Sequence, residues 1–324
     1  MNDHYEPFDM TRLMRAVDLA PSILNTRPWK FEKVAADRIE LRPDWERHLR
    51  IIDPLHRELL ISCGAALFNL RLAIRVTGHD PVVWLFPDEQ ATGRECPDHG
   101  RNCAVGDPLA SVEIVTRRTH PVTVTEQRLY EEIPHRHTVR EPFGHRMSMN
   151  VQAELEQAAR KEGARARLLH RRETRRLLRE AAQVDQELKL NPAYLDELRQ
   201  WTGSNATPER GVPTDRFGPE PASRRYPPVR DLSPAWPGTR LGKRKFERPQ
   251  LIALETESDT PSDWLRAGQA LQRLLLTATY YRLQTSFLTQ ELEEEDRTMP
   301  SSQAARAAWR WRESAQMVIR IGGR

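Results

Sequence analysis

The sequence predicts an α+β protein whose chain runs through one plan twice, in residues 1–122 and 123–324. Two long helical patterns, from about Leu55 to Val76 and from Pro261 to Tyr281, are apolar on more sides than a surface helix needs. Each is bracketed by short strand patterns. A stretch unlike the rest, Gly203–Arg248, holds eight prolines and little periodicity, and a loop of that length is either a loose insertion or a functional cover.

In the first half, Met10, Leu13, Met14, Val17 and Leu19 give a short helix reaching Ala20, where Pro21 stops it. Strands are predicted at Lys30–Val34 and Ile39–Arg42. The long helix follows, with Leu59, Ile61, Cys63, Ala66, Leu67, Leu70, Leu72 and Ile74 apolar and Gly78 as its cap. That breadth points to burial on most sides, at an interface between subunits or half-domains. Strands near Val82–Phe86 and Leu109–Val115 complete this half.

The second half opens with a helix near Glu126–Glu132 and the stretch Pro134–Arg140, then a helix from Met149 to Lys161 and a strand at Arg165–His170. Charged helices run to about Thr202. After the Pro-rich segment come a strand, Pro249–Glu257, and the second long helix, whose start is signposted by Thr260-Pro261-Ser262-Asp263. A helix near Ser302–Glu313 and a strand at Met317–Ile321 close the chain.

The net charge of +4 on 324 residues is small. Runs such as Arg171-Arg172-Glu173-Thr174-Arg175-Arg176 mix signs and read as solvated helix faces, so nucleic acid is not an expected partner. The polar start and the lack of an 18-residue apolar run predict neither a leader nor a membrane span, which leaves the cytoplasm as the expected compartment. Three cysteines do not make a disulfide framework. Cys63 falls in the apolar helix; Cys96 and Cys103 bracket His99 without a fourth ligand, so no metal is expected.

The chemically richest stretch is Ala20-Pro21-Ser22-Ile23-Leu24-Asn25-Thr26-Arg27-Pro28-Trp29. A loop here offers backbone N–H groups, the Ser22 hydroxyl and the Asn25 amide together, a surface suited to a polar planar ring or a polyol. The same residues also serve ordinary turn chemistry. In Arg136-His137-Thr138-Val139-Arg140, two guanidinium groups and a hydroxyl at alternate positions can converge on a phosphate, for which the planar fork of arginine is well matched, although on its own the same pattern also describes an ordinary basic surface turn.

The loop resembles the flavin-contacting signature of the nitroreductase family, with Arg27 where Gln is usual. Further likeness lies in Asp53-Pro54, Arg57-Glu58-Leu59, the run Ser62-Cys63-Gly64-Ala65-Ala66-Leu67-Phe68-Asn69-Leu70, the 136–140 stretch with Pro142-Phe143, and the run from Gly268 to Thr279. Together these resemble the Acg-like branch of actinobacterial nitroreductase-fold proteins. The resemblance implies an FMN held by Pro21, Ser22, Ile23 and Asn25 at the ring and by Arg136, Thr138 and Arg140 at the phosphate. It also implies backbone contacts near Thr289 and Gln290 at the flavin edge. Arg282 stands where the family commonly has glycine, and a phosphate contact from the C-terminal strand would have to come from Arg320 or Arg324.

Family members are typically homodimers with two flavins at the interface, each held by elements from both chains. This chain carries both elements of one such site and no second copy of either, so the resemblance implies an internally duplicated pseudo-dimer with one FMN. It further implies a lid at 203–248, and either a monomer or a homodimer of such chains. Two functions remain open: an NAD(P)H-dependent oxidoreductase acting on a nitroaromatic or quinone, or a non-catalytic FMN-sequestering protein. No catalytic acid, base or nucleophile constellation is present, and flavin chemistry needs none.

Overall fold

A computed structural model of the chain describes residues 9–87, 107–115, 121–222, 230–236, 242–246, 248–288 and 315–323. The predicted terminal helix at 302–313 lies outside these residues.

The first sheet is antiparallel, built from β1 (Trp29–Ala35), β2 (Arg38–Pro43), β3 (Asp80–Leu85) and β4 (Ala110–Val115) in the order β1-β2-β4-β3. Helix α1 (Met10–Val17) precedes it, and α2 (Arg57–Val76) is inserted between β2 and β3. The second antiparallel sheet contains β5 (Arg165–Leu168), β8 (Gln250–Glu255), β9 (Leu283–Phe287) and β10 (Ala315–Gly323), in the order β5-β8-β10-β9. Here α7 (Pro261–Tyr280) is inserted between β8 and β9, and α4 (Met149–Arg160) precedes β5. Both sheets therefore share one strand order, with a 20-residue helix at the same place in each.

Helix α3 (Val124–Glu132) begins two residues earlier than the apolar pattern indicates, because Thr123 and Glu126 form a capping box. Between β5 and β8 lie α5 (Arg171–Leu188), α6 (Pro192–Gln200) and a two-residue parallel pair, β6 (Glu220–Pro221) and β7 (Lys243–Arg244). Helix α5 buries Leu177, Leu178, Ala181, Val184 and Leu188 and turns its arginines outward, as its charge pattern predicts.

The long helices pack on each other in the middle of the molecule, at Gly64 and Gly268, where their backbones touch. Across this contact the Gln272 amide donates to Asn69 Oδ1 at 2.7 Å, and Asn69 donates to the Ala16 carbonyl at 2.7 Å. Leu67, Leu70, Leu274 and Leu275 are fully buried around it, each contributing about 1.5–3 kcal/mol. The largest buried cluster draws on both sheets and both helices, so the two halves share one core. Helix α2 is long and apolar enough to cross a membrane, yet here it is buried over nearly its whole length by that core. Gly78 ends it at φ 98°, with His79 N donating to Ile74 O at 3.1 Å. Helix α7 starts on the Thr260–Asp263 capping box read from the sequence.

A second cluster is separate from this core. Leu24, Leu49 and Ile52 from the first half pack with Val184, Leu188, Leu198, Val212, Phe217 and Leu232. It fastens α5, α6 and the described part of the Pro-rich segment onto the loop after α1.

Candidate functional site

The loop after α1 has an unusual backbone. Leu24, Asn25 and Arg27 all take left-handed φ values, 44°, 55° and 51°, conformations that L-residues adopt only when their surroundings fix them. The fixing contacts are dense. Asn25 N donates to Ser22 O at 3.0 Å, Thr26 N to Ile23 O at 2.9 Å, and Arg27 N to Ser22 Oγ at 2.9 Å. From α2, Ser62 Oγ accepts the Ile23 N–H at 3.2 Å and the Cys63 thiol donates to Pro28 O at 3.2 Å. That thiol is buried, and burial raises its pKa beyond any thiolate range.

These contacts revise what the loop can offer a ligand. The Ile23 N–H is taken by Ser62. The Asn25 amide donates to Gly211 O at 3.1 Å, and Gly211 N donates back to Asn25 O at 3.1 Å. Among the described residues, the Ser22 hydroxyl proton and Asn25 Oδ1 are left without a partner, as are the Ser22 and Leu24 backbone N–H groups.

The Arg136–Arg140 stretch is held as an extended strip along β9. Thr138 bridges Thr285 in parallel register, and Val139 N donates to Thr285 O at 2.8 Å. Alternation along this strip sends the 136, 138 and 140 side chains to one face. Among the described residues neither arginine makes an ion pair, and Arg136 Nε is buried with no hydrogen-bond partner. Burial lowers the Arg136 pKa to about 10; burial, aided by the neighbouring Arg230 charge, does the same to Arg140. Both remain cationic at neutral pH.

Loop and strip meet in one cavity of about 410 Å³. Pro21, Ser22, Ile23, Asn25, Arg136, Thr138 and Arg140, residues far apart in sequence, all line it. Ile61, Leu271, Phe287 and Met317 supply an apolar wall from α2, α7, β9 and β10. The remaining wall comes from the Pro-rich segment through Thr207, Pro208, Gly211, Val212, Pro213, Arg216 and Arg230. That segment is latched on both flanks of the cavity. Gly211 holds Asn25, while Arg140 donates to Arg216 O at 3.1 Å and packs against Gly218.

Thr289 and Gln290 lie outside the described residues, as do Cys96, His99, Cys103 and Arg324. Arg320 is not at the cavity. It is fully buried over the Phe143 ring at 3.6 Å and donates to Glu141 O at 3.0 Å. Three cavity residues were invisible as such in the sequence. Glu58 and Ser62 look like members of an apolar helix, and Arg230 lies in a segment without periodicity.

The cavity suits a phosphate ester with an extended, partly apolar body. Half-buried guanidinium groups without an ion pair among the described residues fit a phosphate, and an apolar wall beside the hydrogen-bonding groups of the loop fits a planar heterocycle.

No protein-family model matches the chain. Among curated proteins of Mycobacterium tuberculosis (strain ATCC 25618 / H37Rv), "Uncharacterized protein Rv3127" is 28% identical over 308 residues, 94% of this chain and 83% of its own length. "Putative NAD(P)H nitroreductase Rv3131" is 30% identical over 306 residues, 90% of this chain and 80% of that protein. "Putative NAD(P)H nitroreductase acg" is 28% identical over 273 residues, covering 83% and 76% of the two chains. At that identity and coverage, the chain belongs to the nitroreductase family, in the branch that includes these mycobacterial proteins.

Proposed function

We propose that the protein is an FMN-binding flavoprotein with one flavin site, at the junction of halves 1–122 and 123–324. The observation that carries this reading is the convergence of the Pro21–Asn25 loop and the Arg136–Arg140 strip on one cavity. Arg136 and Arg140 would hold the phosphate, with Thr138 between them. Ser22 and Asn25 Oδ1 would meet the polar edge of the ring, and Ile61, Leu271, Phe287 and Met317 its apolar surface. FMN bound there would supply two-electron chemistry between NAD(P)H and a nitro group or quinone. The chain's own task is to position the ring and control what reaches it.

The internal duplication is supported by the shared strand order of the two sheets. It is also supported by Gly64 and Gly268, each seven residues after the first residue of its helix, Arg57 and Pro261. A lid role for the 203–248 segment is supported by its contacts to Asn25 and Arg140. Those same contacts favour a second reading, in which the protein holds FMN without turning over a substrate, because they narrow the approach to the site.

Reconstitution with FMN followed by quantification of released flavin tests the first reading. A ratio near one per chain is expected, and near zero in R136Q/R140Q; no uptake, or two flavins per chain, overturns it. Stopped-flow reduction by NADPH then separates the readings. Fast reduction favours the oxidoreductase, and reduction no faster than that of an exposed flavin control favours the holding protein.

A further inference from the structure

A second cavity, of about 270 Å³, lies between α3, α4 and α7 and shares no lining residue with the first. Each helix gives it one stripe at helical spacing. Thr125, Arg128 and Leu129 come from α3, and Glu154, Gln157, Ala158 and Lys161 from the second half of α4 and its cap. Arg273, Thr277, Tyr280 and Tyr281 come from the last turns of α7 and its cap. Leu129 and Ala158, both buried, are its apolar part. The aromatic part is a pair: the Tyr280 and Tyr281 rings meet edge to face with centroids 5.1 Å apart, and the Arg128 guanidinium lies 5.3 Å over the Tyr280 ring. The two tyrosines are 37% and 38% exposed, so folding leaves aromatic surface uncovered here. Arg273 is matched by Glu162 at 2.8 Å. Arg128, Lys161 and Glu154 make no ion pair among the described residues. Partial burial, then Glu154 and Tyr280, raise the Tyr281 phenol above its ordinary pKa, with Arg128 opposing, so a cation and a carboxylate of the rim act on one hydroxyl. The cleft therefore offers two unmatched cations against one carboxylate, beside an aromatic pair.

We propose that this cleft is a second ligand site, for a single-ring aromatic carboxylate. The ring packs on Tyr280 and Tyr281 beside Leu129, and the carboxylate takes the donors of Arg128 and Lys161. A planar guanidinium suits this place, because it stacks on the Tyr280 ring with its face and bonds a carboxylate with its edge. A cationic ligand would meet two like charges, and a neutral ring would leave both cations unmatched. Size and charge also exclude a nucleotide. The volume is below the roughly 300–1,000 Å³ typical of sites for drug-sized ligands, and Glu154 opposes a ligand of several negative charges. The site is independent of the flavin reading, since the two cavities have no residue in common.

Titration calorimetry of the full chain with benzoate tests this, with benzamide and cyclohexanecarboxylate as probes that lack the charge and the aromatic ring. Saturable benzoate binding with a Kd of about 0.1–1 mM is expected, the scale for a ligand of so few atoms. Benzamide should bind about tenfold more weakly, the loss of one charge-assisted contact, and cyclohexanecarboxylate about three- to tenfold more weakly. R128Q should lower benzoate affinity about tenfold, with R128K between it and wild type. Y280L should lower it about fivefold while Y280F keeps it, because the ring and not the hydroxyl makes the contact. R136Q/R140Q, altered only in the flavin cavity, should bind benzoate as wild type does. Thermal melts check that each variant is folded, and the comparison of the three probes on wild type needs no variant. No saturable benzoate binding, equal affinity for benzamide, or an affinity unchanged in both R128Q and Y280L overturns the proposal. Loss of binding in R136Q/R140Q with R128Q unaffected would place benzoate in the flavin cavity and overturn it equally, while leaving the flavin reading intact.

Discussion

Gly64 and Gly268 form the contact on which the two long helices cross. A Cβ built on Gly64 would lie 3.0 Å from Gly268 Cα and overlap the Leu265 carbonyl; one on Gly268 would overlap the Ile61 carbonyl. Glycine to alanine in a helix interior ordinarily stabilises by about 0.5–1 kcal/mol. Here the sign should reverse, with Gly64→Ala or Gly268→Ala costing about 3 kcal/mol, the upper end of overpacking. Urea unfolding measures it, and a neutral or stabilising result would mean the helices can separate without loss.

Asn25→Gly keeps the left-handed backbone at φ 55° and removes the amide that donates to Gly211 O at 3.1 Å. The local loss should be about 0.5–1.5 kcal/mol. Global stability should change little, while protease cleavage within 203–222 accelerates several-fold. Unchanged cleavage would show that the backbone bond from Gly211 N suffices to latch the segment.

His48 and His56 form a packed pair beside Trp45, with His56 Nδ1 2.9 Å from His48 Nε2, which also lies 2.7 Å from Asp53 O. Burial, then the neighbouring His48, lowers the His56 pKa from 6.5 to about 4. The His48 pKa is also lowered, mainly by burial, with Arg50 opposing its protonation and Glu197 and the Asp53 carbonyl favouring it. The folded pair therefore binds fewer protons than the unfolded chain between pH 6.5 and about 4. Stability should fall as pH drops through that window. Thermal melts at pH 7 and pH 5 should differ by more in wild type than in His56→Asn, a residue that tolerates the φ of 62° and does not titrate. Equal differences in both would exonerate the pair.

Arg282 occupies φ 57° two residues past the end of α7, with its N–H donating to Thr279 O at 2.9 Å. Arginine holds the left-handed cap where glycine would sit without strain, so the chain still turns into β9. Arg282→Gly should stabilise the protein by about 1 kcal/mol. A loss of stability would point to a side-chain role that outweighs the backbone term.

Much of the fold was legible because its signals are local. The two long helices announced themselves through apolar breadth and through caps at Gly78 and Thr260–Asp263, and most strand edges fell within two residues of their patterns. Strand β9 was not recognised, since Leu283–Phe287 alternates weakly and follows an arginine rather than a glycine. The loop and the basic strip were visible as motifs; that they line one cavity depends on pairing between Thr138 and Thr285, which no local pattern encodes. The commitment of the Asn25 amide to Gly211 was equally hidden, being a contact across 186 positions. Arg230 had no signal at all, because its meaning comes entirely from which cavity it enters.

Leu24 carries a consequence of its own. Its side chain lies not in the central core but in the second cluster with Val184, Leu198, Val212 and Phe217, while its backbone forms the left-handed turn of the loop. Loop and segment are thus one cooperative unit of opening, distinct from the helical centre. Amide hydrogens of Asn25, Thr26, Gly211 and Val212 should exchange with solvent together, through a shared excursion that leaves α2 and α7 intact. For evolution this means that the ring-facing loop cannot drift alone: a change at Leu24 is also a change in the segment above it.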